Sequence, residues 1–424
     1  MKLTPKGMRD ISPESMYVRE DVIRKIKAVF SSYGYRPLET PAMEYLETMR
    51  AKAGAEVDKQ IFVIEGDEYG LRFDLTVPLA RYAASTDAPK PFKRYAIDAV
   101  WRKEEPQRGR FREFYQADAD IVGSNSMRCE AELLSLARDI CIAFGFDKPR
   151  IMLNNRKILD GIAASMGLAD DVKGEAFRVL DKLDKIGEAE VEKLLREILG
   201  KKADELLKAI RAKGDNEKKL ALAAGYSEEG AKEIREIIGL CGFEVEFDMF
   251  LVRGLGYYTG PVYEIKLSDD IGTVIAGGRY DSLLGVYGQA SPAVGISVGI
   301  ERLVTLIEER QKAQKKTDTK VVIAAVKPEF YRNSLQLAAG FRKAGIACET
   351  DLNERNLRKQ LDYANALSIP FVAIVGAREV ESRTLTLHEM ASGKEEKLSL
   401  PEAIKRVGSR AEDRTKAEGG ARGA

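Results

Sequence analysis

The hydrophobic pattern of the chain changes character twice, and this limits the possible folds more than any other feature. Up to about residue 168, and again at residues 244–298, short apolar runs predict strands, with helices arranged in blocks. The predicted strands include residues 61–64, 71–75 and 244–252. Residues 168–239 between them are dense in Lys, Glu, Leu and Ala, which predicts a small helical insertion. After a polar linker at residues 310–320, strand and helix patterns alternate, as in a βαβ domain with a mainly parallel sheet.

The length of the chain agrees with this division. At 424 residues it exceeds one ordinary hydrophobic core, so two or three domains are expected. We place the first domain, with its insertion, at residues 1–318 and the second at 319–408, followed by a disordered tail at 409–424. Solvated helix faces with i,i+4 ion pairs account for the charges of the insertion, and dedicated RNA contacts are the alternative.

The counts of histidine and cysteine exclude several kinds of site. The chain has one histidine, His388, so a histidine base or a multi-histidine metal site is excluded unless that residue lies there. The four cysteines lack metal-ligand spacing, which excludes zinc sites built on CxxC pairs and argues against a disulfide framework. We therefore expect no resident metal. The cysteines are Cys129, Cys141, Cys241 and Cys348.

Charge and hydropathy define what the chain can bind. The formal net charge is +1, so a nucleic-acid partner would have to be held by local basic patches. The longest apolar runs are too short to cross a bilayer, and the N-terminus lacks the apolar core of a signal peptide. A cytoplasmic protein without a membrane partner is expected.

The densest chemical signal is a basic segment between two predicted strands, at residues 96–100 and 116–122. Four arginines and one lysine fall within residues 102–112, interrupted by Pro106 and Gly109. Guanidinium groups bind phosphate oxygens with two hydrogen bonds each, and a polyphosphate needs several such groups at once. The segment therefore predicts a phosphate-binding loop, with a solvated basic hairpin as the alternative.

Three further segments add polar groups to an otherwise apolar pattern. Arg253 stands among apolar residues and glycines, where a lone charge is costly to bury. Residues 277–281 form a turn that presents Arg, Tyr and Asp, and residues 293–303 run from a strand into a helix with Arg302 in its first turn. A cation there opposes the helix dipole, so a nearby anion is expected. Many arginines without a histidine or a metal cluster indicate nucleotidyl or phosphoryl transfer by positioning and electrostatics.

These segments resemble the motifs of class II aminoacyl-tRNA synthetases. Arg102-x-Glu104, followed by the basic loop and Phe114, is similar to motif 2 of that class. Residues 299–303, Gly-Ile-Glu-Arg-Leu, are similar to motif 3, and the segment around Pro41 resembles motif 1, the dimer-forming element.

Within that class the resemblance is to histidyl-tRNA synthetases, in their archaeal and eukaryotic branch, and it covers nearly the whole chain. Residues 251–258 and 277–281 resemble the two histidine motifs, and the opening residues 6–10 match that family too. The resemblance implies an α+β catalytic domain with an antiparallel sheet and a C-terminal anticodon-binding domain. It also implies a homodimer that uses ATP with Mg²⁺ to activate L-histidine and transfers it to the 3′ end of tRNA(His).

The resemblance also implies an ATP site. Arg102 would hold the α-phosphate and the carboxylate region of the substrate. Glu104 would meet the adenine, Phe114 would stack beneath it and Arg302 would cover it from above. Two further arginines are candidates for the outer phosphates, namely Arg110 and Arg112.

By the same resemblance, Arg253 would bridge the histidine carboxylate and the α-phosphate. It would stabilise the charge that develops as a carboxylate oxygen attacks phosphorus. The α-amino group of the substrate would be received by Asp74, Thr76 and Gln116.

The imidazole would be recognised by Tyr258, with Tyr257 beside it, and by Asp120. Many family members have glutamate at the last position, and Asp118 is a rival to Asp120 as the partner of the ring. Gly256 replaces a usual aspartate of the first histidine motif, which puts in doubt any hydrogen bond made from there.

The tip of the motif 2 loop, Gln107 and Arg108, is the expected reader of the tRNA acceptor end. Two rival interpretations remain at this point. One is a regulatory relative in histidine biosynthesis that binds without catalysing. The other is a class II synthetase for another amino acid, such as threonine, proline or glycine.

Overall fold

The computed structural model describes most of the chain: residues 4–51, 58–66, 68–253, 257–268, 271–310 and 314–409. These residues form two compact units that part after Arg310, with the short segment 11–17 grouped with the second. Apart from Ser409, the predicted disordered tail lies outside the described residues.

The first unit is built on an eight-stranded sheet. In spatial order its strands are β1 (Arg36–Pro37), β4 (Phe92–Trp101), β5 (Glu113–Val122), β10 (Ala293–Gly299), β9 (Thr273–Arg279), β8 (Pro261–Lys266), β6 (Arg150–Asn155) and β7 (Glu246–Phe247). Neighbouring strands are antiparallel except at the two edges, where β1 pairs with β4 and β6 with β7 in parallel. A small antiparallel sheet joins β2 (Met43–Tyr45) and β3 (Tyr69–Leu71). The predicted α+β fold with an antiparallel sheet is confirmed.

The first unit also contains helices outside the insertion. They are α1 (Pro13–Ser32), α2 (Leu46–Arg50), α3 (Thr76–Ala84), α4 (Arg128–Ala143), α5 (Arg156–Ser165) and α12 (Ile300–Arg310), with a 3₁₀ turn at Leu284–Val286. Helix α1 buries Val22, Ile26 and Phe30 at four-residue spacing, which places these side chains on one face. They join one hydrophobic core with Ala117 and Ala119 of β5. Helix α3 packs in a hydrophobic cluster separate from that of α1.

The alternation of β5 determines where the polar side chains of the sheet lie. Ala117 and Ala119 point into the core, so Gln116, Asp118 and Asp120 share the opposite face. Their side chains are nevertheless buried, with exposed fractions of 8%, 2% and 1%. Buried polar groups are costly unless they are paired, so this row marks the part of the sheet with a chemical role.

The predicted helical insertion is present between β6 and β7. Its helices are α6 (Asp170–Leu180), α7 (Leu183–Ile186), α8 (Glu188–Leu199), α9 (Lys202–Ile210), α10 (Asn216–Ala224) and α11 (Glu228–Leu240). Helix α8 buries Val191, Leu195 and Leu199 at four-residue spacing. Its surface charges pair locally, as between Arg196 and Glu192 at 3.6 Å. Such pairs are typical of a solvated helix face.

Three strand predictions in this unit were too long. Residues 61–64 form only an isolated bridge, from Val63 to Gly70. The strand predicted at residues 71–75 ends at Leu71, because the chain turns there towards the start of α3. The strand predicted at residues 244–252 is reduced to Glu246–Phe247, since the backbone N–H of Phe250 donates to the Asp248 carboxylate and turns the chain.

The second unit contains a five-stranded sheet in the order β12 (Cys348–Thr350), β11 (Val321–Ala325), β13 (Phe371–Val375), β14 (Leu385–Glu389) and β15 (Glu395–Leu398). Its helices are α13 (Tyr331–Lys343), α14 (Leu357–Ala366), α15 (Ala377–Ser382) and α16 (residues 400–409), with a 3₁₀ turn at Pro328–Phe330. Strands β12, β11 and β13 are parallel, whereas β14 and β15 add antiparallel pairs. The prediction of a mainly parallel sheet missed β15, whose Glu-Glu-Lys-Leu sequence lacks an apolar run.

A substitution at Gly277 of β9 would test how closely the strands of the large sheet pack. A Cβ atom there would lie 2.1 Å from the Gly295 carbonyl oxygen and 2.7 Å from the Tyr263 ring. Because the strand backbone cannot yield as a side chain can, we expect Gly277→Ala to lower the free energy of unfolding by about 3 kcal/mol. Urea unfolding followed by circular dichroism measures this change.

The matched control is Gly239→Ala in α11, where a Cβ atom would enter open space. Alanine is the better helix former by about 1 kcal/mol, so this variant is expected to be at least as stable as the parent. An unchanged unfolding midpoint for Gly277→Ala would contradict the close packing of β9 against β10.

Candidate functional site

Arg102 lies just after β4, and its side chain is held by groups from two other segments. Its Nε donates to the Phe73 carbonyl at 3.1 Å, and its Nη2 donates to the Gln116 Oε1 at 3.3 Å. The Gln116 amide in turn donates to the Ser297 hydroxyl on β10. The guanidinium also lies 5.1 Å from the centre of the Phe114 ring. The guanidinium and the amide are thus fixed side by side on the polar face of the sheet.

The motif 2 loop folds into a tight turn that reaches helix α12. The backbones of Gln107 and Arg110 exchange two hydrogen bonds, of 3.0 and 2.9 Å, around Gly109 at φ 68°. A Cβ atom on Gly109 would lie 3.4 Å from the Arg302 Cγ, so the loop tip sits against that side chain. The structure therefore brings the motif 2 loop and Arg302 of motif 3 together.

The N-terminal segment braces this loop, a role that the sequence analysis missed. The Arg112 backbone N–H donates to the Gly7 carbonyl at 2.8 Å. Arg9 lies 3.8 Å from the centre of the Phe111 ring and 2.6 Å from a carboxylate oxygen of buried Glu301. Residues 6–10 thus connect the loop to α12.

The remaining charged groups of the loop differ in how firmly they are held. The Arg112 Nε donates to the Glu104 carbonyl at 3.0 Å, and the Glu104 carboxylate lies 4.0 Å from an Arg110 nitrogen. Arg108 pairs with Glu309, yet its side chain is 60% exposed. Exposed pairs of this kind contribute little, so Arg108 is available to a partner from solution.

Arg253 and Arg302 are linked through two residues that the sequence analysis did not single out. The Arg253 Nη1 donates to Glu264 Oε1 at 2.5 Å, and the Thr273 hydroxyl donates to the other oxygen of Glu264 at 2.6 Å. Arg302 donates to the Thr273 carbonyl. Within the described part of the chain, the buried Nε of Arg253 has no hydrogen-bond partner. One donor of this arginine is thus free for a ligand.

Arg302 lies in an excess of positive charge. Its burial, followed by the nearby Arg110 and Arg253 cations, lowers its pKa to about 10. Cations that repel one another in a partly desolvated cleft create a favourable site for a polyanion. The arrangement therefore suits a nucleotide polyphosphate.

Asp74 and the two adjacent tyrosines lie together. Asp74 Oδ1 accepts the backbone N–H groups of Thr76 and Val77, at 3.1 and 2.9 Å, at the start of α3. Burial raises the pKa of Asp74. Tyr257 interacts with the Thr76 side chain, and its ring centre lies 5.0 Å from that of Tyr258. The predicted receptors of the α-amino group and of the imidazole are thus neighbours.

Asp120 is engaged by the protein itself. One of its carboxylate oxygens lies 2.9 Å from the Arg94 Nη2, and both side chains are at most 2% exposed. The Tyr280 hydroxyl donates to the other oxygen. On the neighbouring strand, a Cβ atom at Gly295 would lie only 1.9 Å from that oxygen. The sequence analysis missed Arg94 because it began β4 at Ala96.

Asp118 differs from Asp120, although both lie on the same face of β5. Its Oδ1, like the Oδ2 of Asp120, is buried and has no hydrogen-bond partner among the described residues, but Asp120 also forms an ion pair with Arg94. Burial, followed by the charge of Asp120, raises the pKa of Asp118 to about 7, and the charge of Arg94 and the interaction with Ser297 only partly oppose this. Gly256, whose substitution drew attention in the sequence, lies outside the described residues.

With this geometry established, comparison with known proteins identifies the family. The sequence matches the family described as histidyl-tRNA synthetase over residues 7–303, and an anticodon-binding domain over residues 320–410. The chain belongs to the histidyl-tRNA synthetase family. These are ligases that activate histidine with ATP and join it to tRNA, so the predicted family and enzyme class are confirmed.

Individual relatives are similar to this chain over nearly its whole length. The chain is 40% identical to the histidine–tRNA ligase of Aeropyrum pernix over 422 residues, which cover 95% of this chain and 97% of that protein. It is 38% identical to the Bacteroides fragilis enzyme over 445 residues, with 94% and 97% covered. The crystal structure of histidyl-tRNA synthetase from Nostoc sp. PCC 7120 superposes with a TM-score of 0.80 at 29% identity, covering 97% of this chain and 100% of that one.

Two negative findings concern the described residues alone. They include no group of three or more His, Cys, Asp or Glu side chains placed to hold a metal ion. Nor do they include a helix that is long and apolar enough to cross a membrane.

The raised pKa of Asp118 predicts how the stability of the protein depends on pH. Between about pH 4 and pH 7 the folded protein holds a proton on Asp118 that the unfolded chain has lost, so folding becomes less favourable as the pH rises through this range. Asp118→Asn replaces the titrating carboxyl with a neutral amide, so the variant does not lose stability in this way. We therefore expect the free energy of unfolding of the variant, relative to that of the parent, to be about 2–4 kcal/mol higher at pH 8 than at pH 4. Urea unfolding at both pH values measures this difference.

The control is Asp120→Asn, two residues along the same strand. It leaves the buried Arg94 cation without its carboxylate, so we expect it to lower the free energy of unfolding by about 3 kcal/mol at pH 8. A stability difference between Asp118→Asn and the parent that stays constant from pH 4 to pH 8 would show that Asp118 titrates normally.

Proposed function

We propose that the polar face of the large sheet, together with the motif 2 loop, is the site where this chain activates L-histidine with ATP. The activated histidine is then transferred to the 3′ end of tRNA(His). The observation that carries this proposal is the convergence of Arg110, Arg253 and Arg302 beside the pair of Arg102 and Gln116. The first group offers charge for a triphosphate, and the second offers a donor and an amide for an amino acid.

The ATP is proposed to lie along the loop. Arg102 binds the α-phosphate, Glu104 contacts the adenine, and the base is held between Phe114 and Arg302. The contact of Gly109 with Arg302 supports this arrangement, because it brings the loop and α12 to the same nucleotide. The outer phosphates, with the Mg²⁺ that accompanies ATP, are assigned to Arg110 and Arg112.

The histidine is proposed to lie between α3 and β5. Its α-amino group is received by Asp74, Thr76 and Gln116, and its ring lies against Tyr257 and Tyr258. Asp74 keeps one carboxylate oxygen beyond the two backbone bonds of its Oδ1, and this oxygen is the acceptor for the ammonium group. Asp120, the other residue expected at the ring, lies on the same face of β5.

Arg253 is proposed as the catalytic residue together with Arg102. A carboxylate oxygen of histidine attacks the α-phosphorus, the bond to the bridging oxygen breaks, and pyrophosphate leaves with that electron pair. The free Nε of Arg253 is a donor for the oxygens that gain charge in this step. A carboxylate is already ionised at neutral pH, so the attack needs no base, in keeping with a chain that has one histidine.

The transfer step is assigned to the same face. A hydroxyl of the terminal adenosine of the tRNA attacks the histidyl carbonyl, and AMP leaves. Gln107 and Arg108 at the loop tip are proposed to contact the acceptor end, since Arg108 is exposed and only weakly held. The second unit is proposed to bind the anticodon stem, and the cytoplasm, where translation uses charged tRNA, is the proposed location.

The chain is also proposed to form a homodimer through the small sheet that follows Pro41. Met43 and Tyr45 on β2 are 52% and 53% exposed, and the Tyr69 ring on β3 lies beside Tyr45 with centres 5.1 Å apart. Large apolar side chains exposed side by side are typical of interaction surfaces. Their position beside the motif 1 segment favours a second copy of the chain as the partner.

Exchange of labelled pyrophosphate into ATP tests the activation step. We expect the parent protein to catalyse exchange with histidine alone, and Arg253→Gln to reduce kcat for exchange by about 100- to 1,000-fold. The loss follows from removing a preorganised donor at the α-phosphate. Arg24→Gln on the exposed face of α1 is the matched control and should keep the parental rate, because its pair with Asp21 lies at the surface.

Each rival interpretation predicts a different result for the parent protein. Exchange with threonine, proline or glycine in place of histidine would identify another synthetase, and the absence of any exchange would favour a regulatory protein. Arg253→Gln with the parental kcat would remove Arg253 from the catalytic step.

The dimer proposal predicts that charge on β2 separates the two copies. We expect Met43→Glu combined with Tyr45→Glu to shift the mass in sedimentation equilibrium from that of a dimer to about 47.0 kDa, the mass of one chain. Leu352→Glu changes an apolar side chain that is 80% exposed in the second unit and should leave the dimer intact. A dimer that survives both substitutions on β2 must be held by a different surface.

A further inference from the structure

We propose that Arg9 is a positioning residue for ATP binding, because it ties the motif 2 loop to helix α12. Its guanidinium group contacts Phe111 of the loop and Glu301 of the helix, and so determines how the loop faces Arg302. This inference rests on the proposed function, in which ATP is bound between the loop and α12. It gives the N-terminal segment, residues 6–10, a role in that binding.

The guanidinium of Arg9 is shared between two partners. Its Nη2 lies 2.6 Å from Glu301 Oε2, and its Cζ lies 3.8 Å from the centre of the Phe111 ring. A guanidinium donates hydrogen bonds within its plane and stacks through its faces, so it can serve both partners at once. Phe111 stands between Arg110 and Arg112, the residues assigned to the outer phosphates. Holding this ring therefore holds the backbone from which both phosphate ligands extend.

The Glu301 carboxylate has a second partner that compensates for its burial. Its other oxygen, Oε1, lies 2.7 Å from the Nη2 of Arg19 on α1, and the Arg19 side chain is only 12% exposed. One buried arginine is enough to neutralise one carboxylate. Arg9 is 40% exposed, so its ion pair contributes less to the stability of the fold. What Arg9 adds is a connection between the N-terminal segment and α12.

The N-terminal segment contacts the motif 2 loop on both sides of its tip. After the tip, the Arg112 backbone N–H donates to the Gly7 carbonyl at 2.8 Å. Before the tip, the Pro106 Cγ would lie 2.8 Å from a Cβ atom on Gly7, whose φ of 81° suits glycine. The segment is thus packed across the loop, and Arg9 joins the two to α12.

The loop needs such a connection because its charges repel α12. Burial, followed by the charge of Arg110, lowers the pKa of Arg302 to about 10. Two like charges in a cleft favour separation until an anion lies between them. A second ion pair between the loop and α12, that of Arg108 with Glu309, has side chains that are 60% and 47% exposed and contributes little. Arg9 therefore keeps the loop near α12 before ATP binds, which reduces the cost of ordering the site.

The experiment compares Arg9→Gln with the parent in histidine-dependent pyrophosphate exchange and in equilibrium dialysis with labelled ATP. We expect Arg9→Gln to raise both KM and Kd for ATP by about 10-fold, because the stacking and the ion pair are lost together. KM for histidine should stay within about threefold, since the proposed histidine position between α3 and β5 does not depend on the loop. Arg9→Lys keeps a cation for Glu301 without the planar group, so its Kd for ATP should lie between those of Arg9→Gln and the parent.

Two control variants separate positioning from folding. Lys6→Gln changes the same segment and removes a pair with Glu105 of the same loop, at 2.9 Å, but these side chains are 68% and 72% exposed. We expect its KM for ATP to stay within about twofold of the parent. Arg19→Gln removes the more buried partner of Glu301, so it should lower the urea midpoint more than Arg9→Gln does, with a smaller effect on KM for ATP.

Phe111→Leu tests whether Arg9 acts through the ring. If it does, the double variant Arg9→Gln with Phe111→Leu should have a KM for ATP close to that of the more affected single variant. Effects of the two substitutions that multiply would overturn the proposed connection, because they would show that Arg9 and Phe111 act independently.

The outcomes distinguish this inference from the function on which it rests. A parent protein that neither binds ATP nor catalyses histidine-dependent exchange would overturn the proposed function, and the inference with it. If the parent does both and Arg9→Gln keeps the parental KM and Kd for ATP, the inference alone is wrong. An Arg9→Gln protein with a lowered urea midpoint, and with KM raised equally for ATP and histidine, would reduce Arg9 to a structural role.

Discussion

Carboxylates in the middle of a buried sheet are costly unless each charge meets a partner or is removed by a proton. In the first unit, Arg94 neutralises Asp120 from the adjacent strand, and both lie almost fully out of solvent. Removing either partner would leave the other as a lone buried charge, so this ion pair fixes β4 against β5. Because β5 alternates strictly, fixing that strand also fixes Asp118 and Gln116, which share its polar face.

Arginine carries most of the proposed chemistry. The guanidinium groups differ in which protein groups bind them. Arg94 is bound to a carboxylate and a carbonyl, while its buried Nε and Nη1 have no hydrogen-bond partner among the described residues. Arg253 is anchored by Glu264 but keeps one buried donor free. Arg302 is bound to a carbonyl and crowded by other cations, so it favours an anion. In the proposed site the same side chain would thus serve as a structural ion, an oriented donor and a phosphate ligand.

The sequence predicted those parts of the fold that depend on local pattern. The long amphipathic helix α1, the insertion and the strands that flank the basic loop all follow from periodicity over many residues. The short strands were not predictable in this way. Phe250 leaves the strand pattern through a local bond to Asp248, and β15 is held by pairing with β14 rather than by apolar residues. Both depend on partners that periodicity does not record.

The residues of the candidate site can likewise be divided into those that the sequence could identify and those that it could not. Arg102, Arg253 and Arg302 could be selected from the sequence, because charge among apolar residues and glycines is itself a signal. Glu264 and Arg94 could not, since each has a role only through a residue distant in the chain. The choice between Asp118 and Asp120 is the clearest case. Residues two apart on a strand share a face, so the sequence treats them as equivalent. Only the strands beside them show which of the two forms an ion pair, namely Asp120 with Arg94.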